Sequence, residues 1–166
     1  MKFGNVVNAL AFLSVILTLV VAASKADFSG NWVMDKSKSE GLPPGMEQTM
    51  TIAQEGDKLS LETTLINGEE KQSIKDGYTL NGKPEDYTPR FGGGATGKGK
   101  RTAKWTADGN GIEVLEEARL ETPDGSADTT MKRKWQLSPD GKTLTIELNF
   151  NGPNGEVNSK RIFLKK

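Results

Sequence analysis

Of the nine Asn-Gly and Asp-Gly pairs in the chain, six punctuate it at turn-like spacing: Asn67-Gly68, Asn81-Gly82, Asp108-Gly109, Asp124-Gly125, Asp140-Gly141 and Asn154-Gly155. Such pairs tolerate the positive φ angles of tight hairpin turns, and their spacing is that of a β-meander. Between them the sequence alternates apolar and polar residues with no helical period. Lys104-Trp105 before Asp108-Gly109 and Lys134-Trp135 before Asp140-Gly141 repeat one hairpin chemistry.

Pairing registers follow from the turns, because opposed residues in an antiparallel hairpin share one face. Closing 112–121 on 128–137 through Asp124-Gly125 sets Ile112 against Leu137, Val114 against Trp135 and Ala118 against Met131. Closing the next hairpin through Asp140-Gly141 sets Leu137 against Leu144, Trp135 against Ile146 and Met131 against Phe150. Upstream, turns at Glu55-Gly56 and Asn67-Gly68 pair Met50 with Leu61, Ile52 with Leu59 and Leu61 with Ile74. One apolar face is thus shared by successive strands, as a barrel wall requires. The expected fold is all-β: a single antiparallel meander barrel of about eight to ten strands over 27–166.

Residues 1–26 read as a signal peptide, with Lys2 in a positive n-region, an apolar Leu10–Ala23 and cleavage expected after Ala26. The protein is then exported, periplasmic or secreted, with no membrane span once the signal is removed. The apolar stretch from Val6 to Ala23 also reaches the lower edge of a membrane span, so a retained anchor is the competing reading. Cleavage would take away two of the 22 basic residues and none of the 22 acidic ones. The slight negative excess argues against a nucleic-acid partner. The basic clusters Lys98–Lys104 and Lys132–Lys134 alternate with small or apolar residues, as a solvated strand face would.

Cysteine and histidine are both absent. That removes disulfide stapling, thiol nucleophiles, Ser-His-Asp triads and nearly every zinc or copper site. No metal or cofactor is expected. Gly92 with Gly97-Lys98 has the spacing of a phosphate loop, but Gly99 stands where Ser or Thr should bind magnesium. The stretch Lys83–Gly99 holds two prolines and five glycines, too many for a regular strand throughout. It reads either as a flap over a barrel mouth or as a plain surface loop.

Glu116 and Arg133 lie on the apolar faces of their strands, and the expected register puts them directly opposite each other. A charge turned toward a core is costly unless paired, so an inward cross-strand ion pair is expected. Its bland role is to fix register; its functional role is to present Arg133 to an anionic head group. Trp32, Trp105 and Trp135 all have inward phases, and Trp105 is the one expected to line a mouth. Tyr78 and Tyr87 are possible polar handles.

Phe28-Ser29-Gly30-Asn31-Trp32 resembles the opening strand of lipocalins and the Phe-x-Gly-x-Trp start of fatty-acid-binding proteins. The last residues, Ser159 to Lys166, are similar to the final strand of the latter family, and the whole resembles exported bacterial lipocalin-like (calycin) proteins. The resemblance makes Gly30 and Trp32 structural and implies that Trp32 stacks against a basic residue of the last strand, at the position of Arg161. In fatty-acid-binding proteins an Arg-x-Tyr pair at this place grips the ligand carboxylate; this chain keeps Arg161 but has Phe163 for the tyrosine. Gly41–Gly45 stands where that family has a helix–turn–helix portal. The function expected first is non-catalytic binding of a small hydrophobic or amphipathic molecule, with Arg133 or Arg161 meeting an acidic end. Trp105, Trp135, Phe163 and Tyr87 would line the site. The second reading is an envelope or protein-interaction domain with a filled core. The third is a hydrolase or isomerase using Glu116 with a tyrosine.

Overall fold

The computed structural model describes residues 25–89, 96–122 and 125–166. Residues 1–24 of the expected signal peptide, residues 90–95 of the glycine-rich stretch and residues 123–124 lie outside the described residues. The described residues are all-β, with ten strands: β1 (Gly30–Met34), β2 (Met46–Glu55), β3 (Lys58–Asn67), β4 (Glu70–Thr79), β5 (Asn81–Tyr87), β6 (Thr96–Trp105), β7 (Gly111–Thr122), β8 (Gly125–Leu137), β9 (Thr143–Gly152) and β10 (Gly155–Lys165). They form one antiparallel sheet in the order β4-β3-β2-β1-β10-β9-β8-β7-β6-β5, curled into a nearly closed barrel. β1 joins the two ends of the meander by pairing with both β2 and β10.

The faces are as the alternation predicts, but three of the four tested registers slip by two residues. Glu55 pairs with Lys58 and Asn67 with Glu70, so the turns are Gly56-Asp57 and Gly68-Glu69. Gly56 and Gly68 have φ of 60 and 63°, and among the described residues no non-glycine residue has positive φ. A two-residue turn with positive φ only at its first central position puts the glycine there and leaves Glu55 or Asn67 as the last paired residue. Ile52 therefore opposes Leu61, and Asp76 rather than Ile74 opposes Leu61. Between β7 and β8 the last pair is Thr122 with Gly125, which sets Ile112 against Trp135 and Ala118 against Thr129. The β8–β9 register is the expected one. A two-residue slip leaves every side chain on its original face, which is why the core survives the error.

Asn81-Gly82 does not form a hairpin turn; it opens β5, where the pairing with β6 is shifted between Asn81 and Pro84. The expected irregular stretch from Lys83 is strand as far as Tyr87, and strand resumes at Thr96. The connector after β1 crosses β10: Glu40 bridges Lys160, and Ser39 Oγ accepts from the Ile162 N–H at 3.0 Å. Gly41 (φ 69°) lies against the Asn158 carbonyl oxygen, a spot no side chain could occupy. No helix among the described residues is long and apolar enough to cross a membrane.

One end of the barrel is filled. Phe28, Trp32, Leu59, Ile112, Leu144, Phe163 and Trp135 are buried there, with Trp105 and Leu137 packed partly against them. Trp32 donates its indole N–H to the Phe28 carbonyl at 2.9 Å, and the Phe28 ring meets Trp135 edge-on at 6.2 Å. Removing such side chains from water stabilises the fold by roughly 1.5–3 kcal/mol each. Lys25 and Ala26 belong to this floor. Ala26 N–H donates to Gly109 O at 2.9 Å, and Gln54 Nε2 donates to Ala26 O at 3.0 Å. Toward the other end the inward rows of β3, β4, β9 and β10 lose burial. Leu65, Ile74, Leu148 and Phe150 are half-buried and Val157 is exposed.

Candidate functional site

Directly above the floor the inward row changes from apolar to charged. Glu116 on β7 is 4% exposed, and its Oε2 accepts from Arg133 Nη1 on β8 at 2.7 Å. The two are on one face, as the alternation requires, but not directly opposite: Glu116 opposes Met131 and Arg133 opposes Val114, so the pair is diagonal. Long side chains reach across such diagonals readily. The other oxygen, Oε1, lies 3.7 Å from Arg101 Nη1 on β6. Arg101 also donates to Asp76 Oδ1 and Oδ2 on β4, at 3.0 and 3.1 Å, and to Gly77 O at 2.6 Å. Acid and base thus alternate along a belt: Asp76, Arg101, Glu116, Arg133.

The belt continues to Arg161 on β10, and there the alternation breaks. Arg161 Nη1 donates to Gln48 Oε1 at 2.8 Å, while its buried Nε has no partner. Burial and the positive charge of Arg133 push the Arg161 pKa down. For Arg133 burial works in the same direction, but surrounding charge, including Glu116, more than offsets it and the pKa is raised. Among the described residues, three guanidinium groups therefore face two carboxylates. Tyr87 sits at this level, and Tyr78, in the floor, borders it through Arg101. Burial raises the Tyr78 pKa and pushes Tyr87 up to about 12, so both phenols are protonated at neutral pH.

The residues singled out from the sequence divide between floor and belt. Arg133, Arg161, Glu116 and Tyr87 are belt residues. Trp135 and Phe163, expected as ligand-facing wall, are 2% and 0% exposed within the floor. Trp105, expected at a mouth, is at the plugged end: its ring lies 6.1 Å from Phe28, and its indole N–H donates to Asp57 Oδ1 at 2.8 Å. Trp32 stacks with a base of the last strand, but the base is Lys165, whose Nζ is 5.4 Å from the ring centroid. Arg161 lies farther into the barrel. Gly30 (φ 135°) makes room for the Lys165 chain, whose Cε would be 2.6 Å from an added Cβ. The expected solvated face at Lys98–Lys104 is solvated only on alternate residues, since Arg101 and Ala103 turn inward. Arg101, Asp76 and Gln48 complete the site; each lies two residues from a buried residue, and that phase is their signal in the sequence.

Two other chemistries find less support. Both oxygens of Glu116 face guanidinium groups, which do not titrate, and no hydrogen bond among the described residues joins it to Tyr78 or Tyr87. Among the described residues no group of acidic side chains is arranged to hold a metal ion. A groove of about 990 Å³ runs along the wall, lined mostly by outward residues including Lys104, Glu113, Lys134, Glu147 and Lys160. There Lys104, Lys134 and Lys160 each oppose a carboxylate in register, as on a solvated sheet face, while the exposed Lys132 opposes Leu115 and Asn149. The interior belt differs in that its cation without a carboxylate, Arg161, is turned into the barrel beside half-buried apolar surface.

No family model matches this chain, and no curated protein matches it. Solved structures do. The REP1-NXSQ fatty acid transporter superposes with a TM-score of 0.52 at 19% identity, covering 84% of this chain and 96% of that one. Zebrafish ileal bile acid-binding protein, complexed with cholic acid, superposes with a TM-score of 0.52 at 17% identity, covering 84% and 98%. At these identities the likeness establishes a shared calycin-like barrel fold.

Proposed function

We propose that the protein binds, without catalysis, a small, largely apolar molecule carrying one negative charge in its barrel interior. The observation that carries this reading is Arg161, half-buried above a filled floor and, among the described residues, bonded only to the neutral Gln48. The half-buried Leu65, Ile74, Leu148 and Phe150 supply apolar surface on the side away from the floor. An anion at Arg161 would restore the alternation that the belt keeps from Asp76 to Arg133, through charge-assisted hydrogen bonds. The fatty-acid and bile-acid proteins that share the fold carry ligands of this chemical class, which agrees with the reading.

The test compares dodecanoate with dodecanol by titration calorimetry on the wild type and Arg161→Gln. A charge-assisted hydrogen bond contributes about 1.5–3 kcal/mol, so the carboxylate should bind roughly ten- to a hundredfold tighter than the alcohol. Arg161→Gln should abolish most of that preference. Equal affinities in the wild type, or no uptake of either molecule, would refute the reading. The densely packed floor favours a second reading, a protein-interaction domain with a filled core, and absence of uptake would leave that one standing. Export is part of the proposal, supported by the apolar Leu10–Ala23 behind Lys2. Cell fractionation with intact-mass analysis tests it; full-length protein in the cytosolic fraction would exclude it.

A further inference from the structure

The barrel wall is sewn by backbone hydrogen bonds everywhere except between β4 and β5, the two ends of the sheet. β5 is ill suited to pair there. Pro84 has no N–H to donate, Gly82 (φ 70°) accompanies a shifted register, and Lys83 and Glu85 follow as charged neighbours. Prolines, bulges and charges of this kind keep an edge strand from taking a partner.

One side chain spans this seam. Arg101 springs from β6, behind β5, and reaches β4 with three hydrogen bonds, two to the Asp76 carboxylate and one to the Gly77 carbonyl. Its guanidinium carbon lies 4.7 Å from the ring centroid of Tyr78 on β4 and 5.6 Å from that of Tyr87 on β5. The planar cation is thus held between one aromatic ring from each lip. Gly99, paired with Tyr87, gives that ring its place: an added Cβ would lie 2.6 Å from Tyr87 Cε1. Asp76 is fixed in turn, because its Oδ1 accepts the Gly77 N–H at 2.8 Å.

We propose that Arg101 is a latch across the β4–β5 seam and that the seam is a lateral way into the barrel at the level of the charged belt. A sheet edge with no backbone partner opens at the cost of its side-chain bonds alone, so the latch sets how often it opens. The lateral route rests on the binding reading above; the latch does not. Arg101→Gln removes the carboxylate arm and the cation stacking, while Glu116 keeps its 2.7 Å partner Arg133, so the interior remains paired. Asp76→Asn removes one arm only.

Amide hydrogen exchange on the full chain, read by peptide, tests the latch. In Arg101→Gln, peptides covering Glu70–Tyr87 should exchange at least tenfold faster, with β8 and β9 unchanged; Asp76→Asn should show the same pattern at smaller amplitude. Unchanged exchange in Glu70–Tyr87, or equal acceleration in all strands, would overturn the proposal. Stopped-flow mixing with the anionic fluorophore anilinonaphthalene sulfonate tests the route. Association and dissociation rates should both rise about tenfold or more in Arg101→Gln, dissociation the more because the belt has also lost a cation. A changed Kd with an unchanged association rate would refute the route. Absence of fluorophore uptake by the wild type would count against the binding reading and with it the route, while the exchange data still decide the latch.

Discussion

Replacing Glu116 by glutamine takes away the carboxylate at the centre of the belt and leaves three guanidinium groups facing Asp76 alone. Glu116 is 4% exposed, Arg101 13% and Arg133 21%. Removing one partner of a buried ion pair costs about 3–5 kcal/mol, mostly from the charge left behind. Two features place this case at the low end. Arg101 keeps Asp76 at 3.0 Å, and the glutamine oxygen can still accept from Arg133. A loss of about 3 kcal/mol is expected, which for a chain of this size lowers Tm by roughly 6–12 °C. Urea unfolding followed by tryptophan fluorescence measures it, since Trp135 lies in the floor two residues from Arg133. Adding Arg133→Met to Glu116→Gln should recover most of the loss, because the orphaned cation is then gone and an apolar chain fills its place. Dodecanoate should bind Glu116→Gln more tightly than wild type, because the belt has lost an anion. A single variant within about 0.5 kcal/mol of wild type, or a double variant that loses the sum of both changes, would refute the buried-pair account.

At high pH the tyrosines govern stability. Burial raises the pKa of both, Tyr87 to about 12 against 10.0 for the free side chain. The unfolded chain therefore gives up its phenolic protons first. Stability is intact below pH 10 and falls as pH rises from 10 toward 12. Tyr87→Phe should flatten that fall in alkaline urea titrations, and an unchanged slope would refute the assignment. Gly99→Val should push the Tyr87 ring off Arg101, since the added Cβ would lie 2.5 Å from the Glu117 carbonyl and 2.6 Å from the ring. Overpacking of this kind costs about 1–3 kcal/mol; the near-ultraviolet circular dichroism of tyrosine and the urea midpoint should both change. A chain beginning at Asp27 loses the two hydrogen bonds of Ala26 to Gly109 and Gln54. At about 0.5–1.5 kcal/mol each, they should make its Tm roughly 2–12 °C lower than that of a chain beginning at Ser24. Equal melting temperatures would show these floor contacts to be inert.

Face and register were unequally legible in the sequence. Which side of the wall a residue takes depends only on its parity along the strand, and parity survives a slip of two. Ile52, Leu61, Val114 and Trp135 could therefore be placed inside even while their partners were misassigned. Register depends on which residue of a turn takes the positive φ, and Glu55-Gly56 and Asn67-Gly68 do not advertise that it is the first central one. The seam left a fainter trace still, Pro84 and Gly82 in β5. Arg101 was hidden in a basic run, because charge composition over Lys98–Lys104 outweighed the phase set by Ala103 and Trp105. The choice of Lys165 over Arg161 beneath Trp32 depends on the β1–β10 register, in which Trp32 opposes Lys165 and Met34 opposes Phe163. No local pattern encodes that pairing.

Parity also explains why the charges form a belt. Gln48 precedes Met50 by two residues, Asp76 precedes Tyr78, Arg101 precedes Ala103, Glu116 follows Val114, Arg133 precedes Trp135 and Arg161 precedes Phe163. Each charged or amide side chain stands one inward step beyond a buried anchor, on whichever strand it occurs. The anchors fill the floor, so the next step is the first level at which a long polar side chain has room. A charge at that level is tolerated only with a partner. Asp76, Arg101, Glu116 and Arg133 meet that condition by alternating round the wall. Arg161 does not, because the inward β9 residues between it and Arg133 are Ile146 and Leu148, and the residue it reaches on β2 is a neutral amide. A guanidinium kept at such a level without a carboxylate adds nothing to stability that a methionine would not exceed. Arg161→Met should therefore unfold at equal or higher urea than wild type, whereas Arg133→Met, which strands Glu116, should unfold at lower urea. If Arg161→Met is instead the more damaging change, Arg161 is a structural residue and the charge count behind the binding proposal fails.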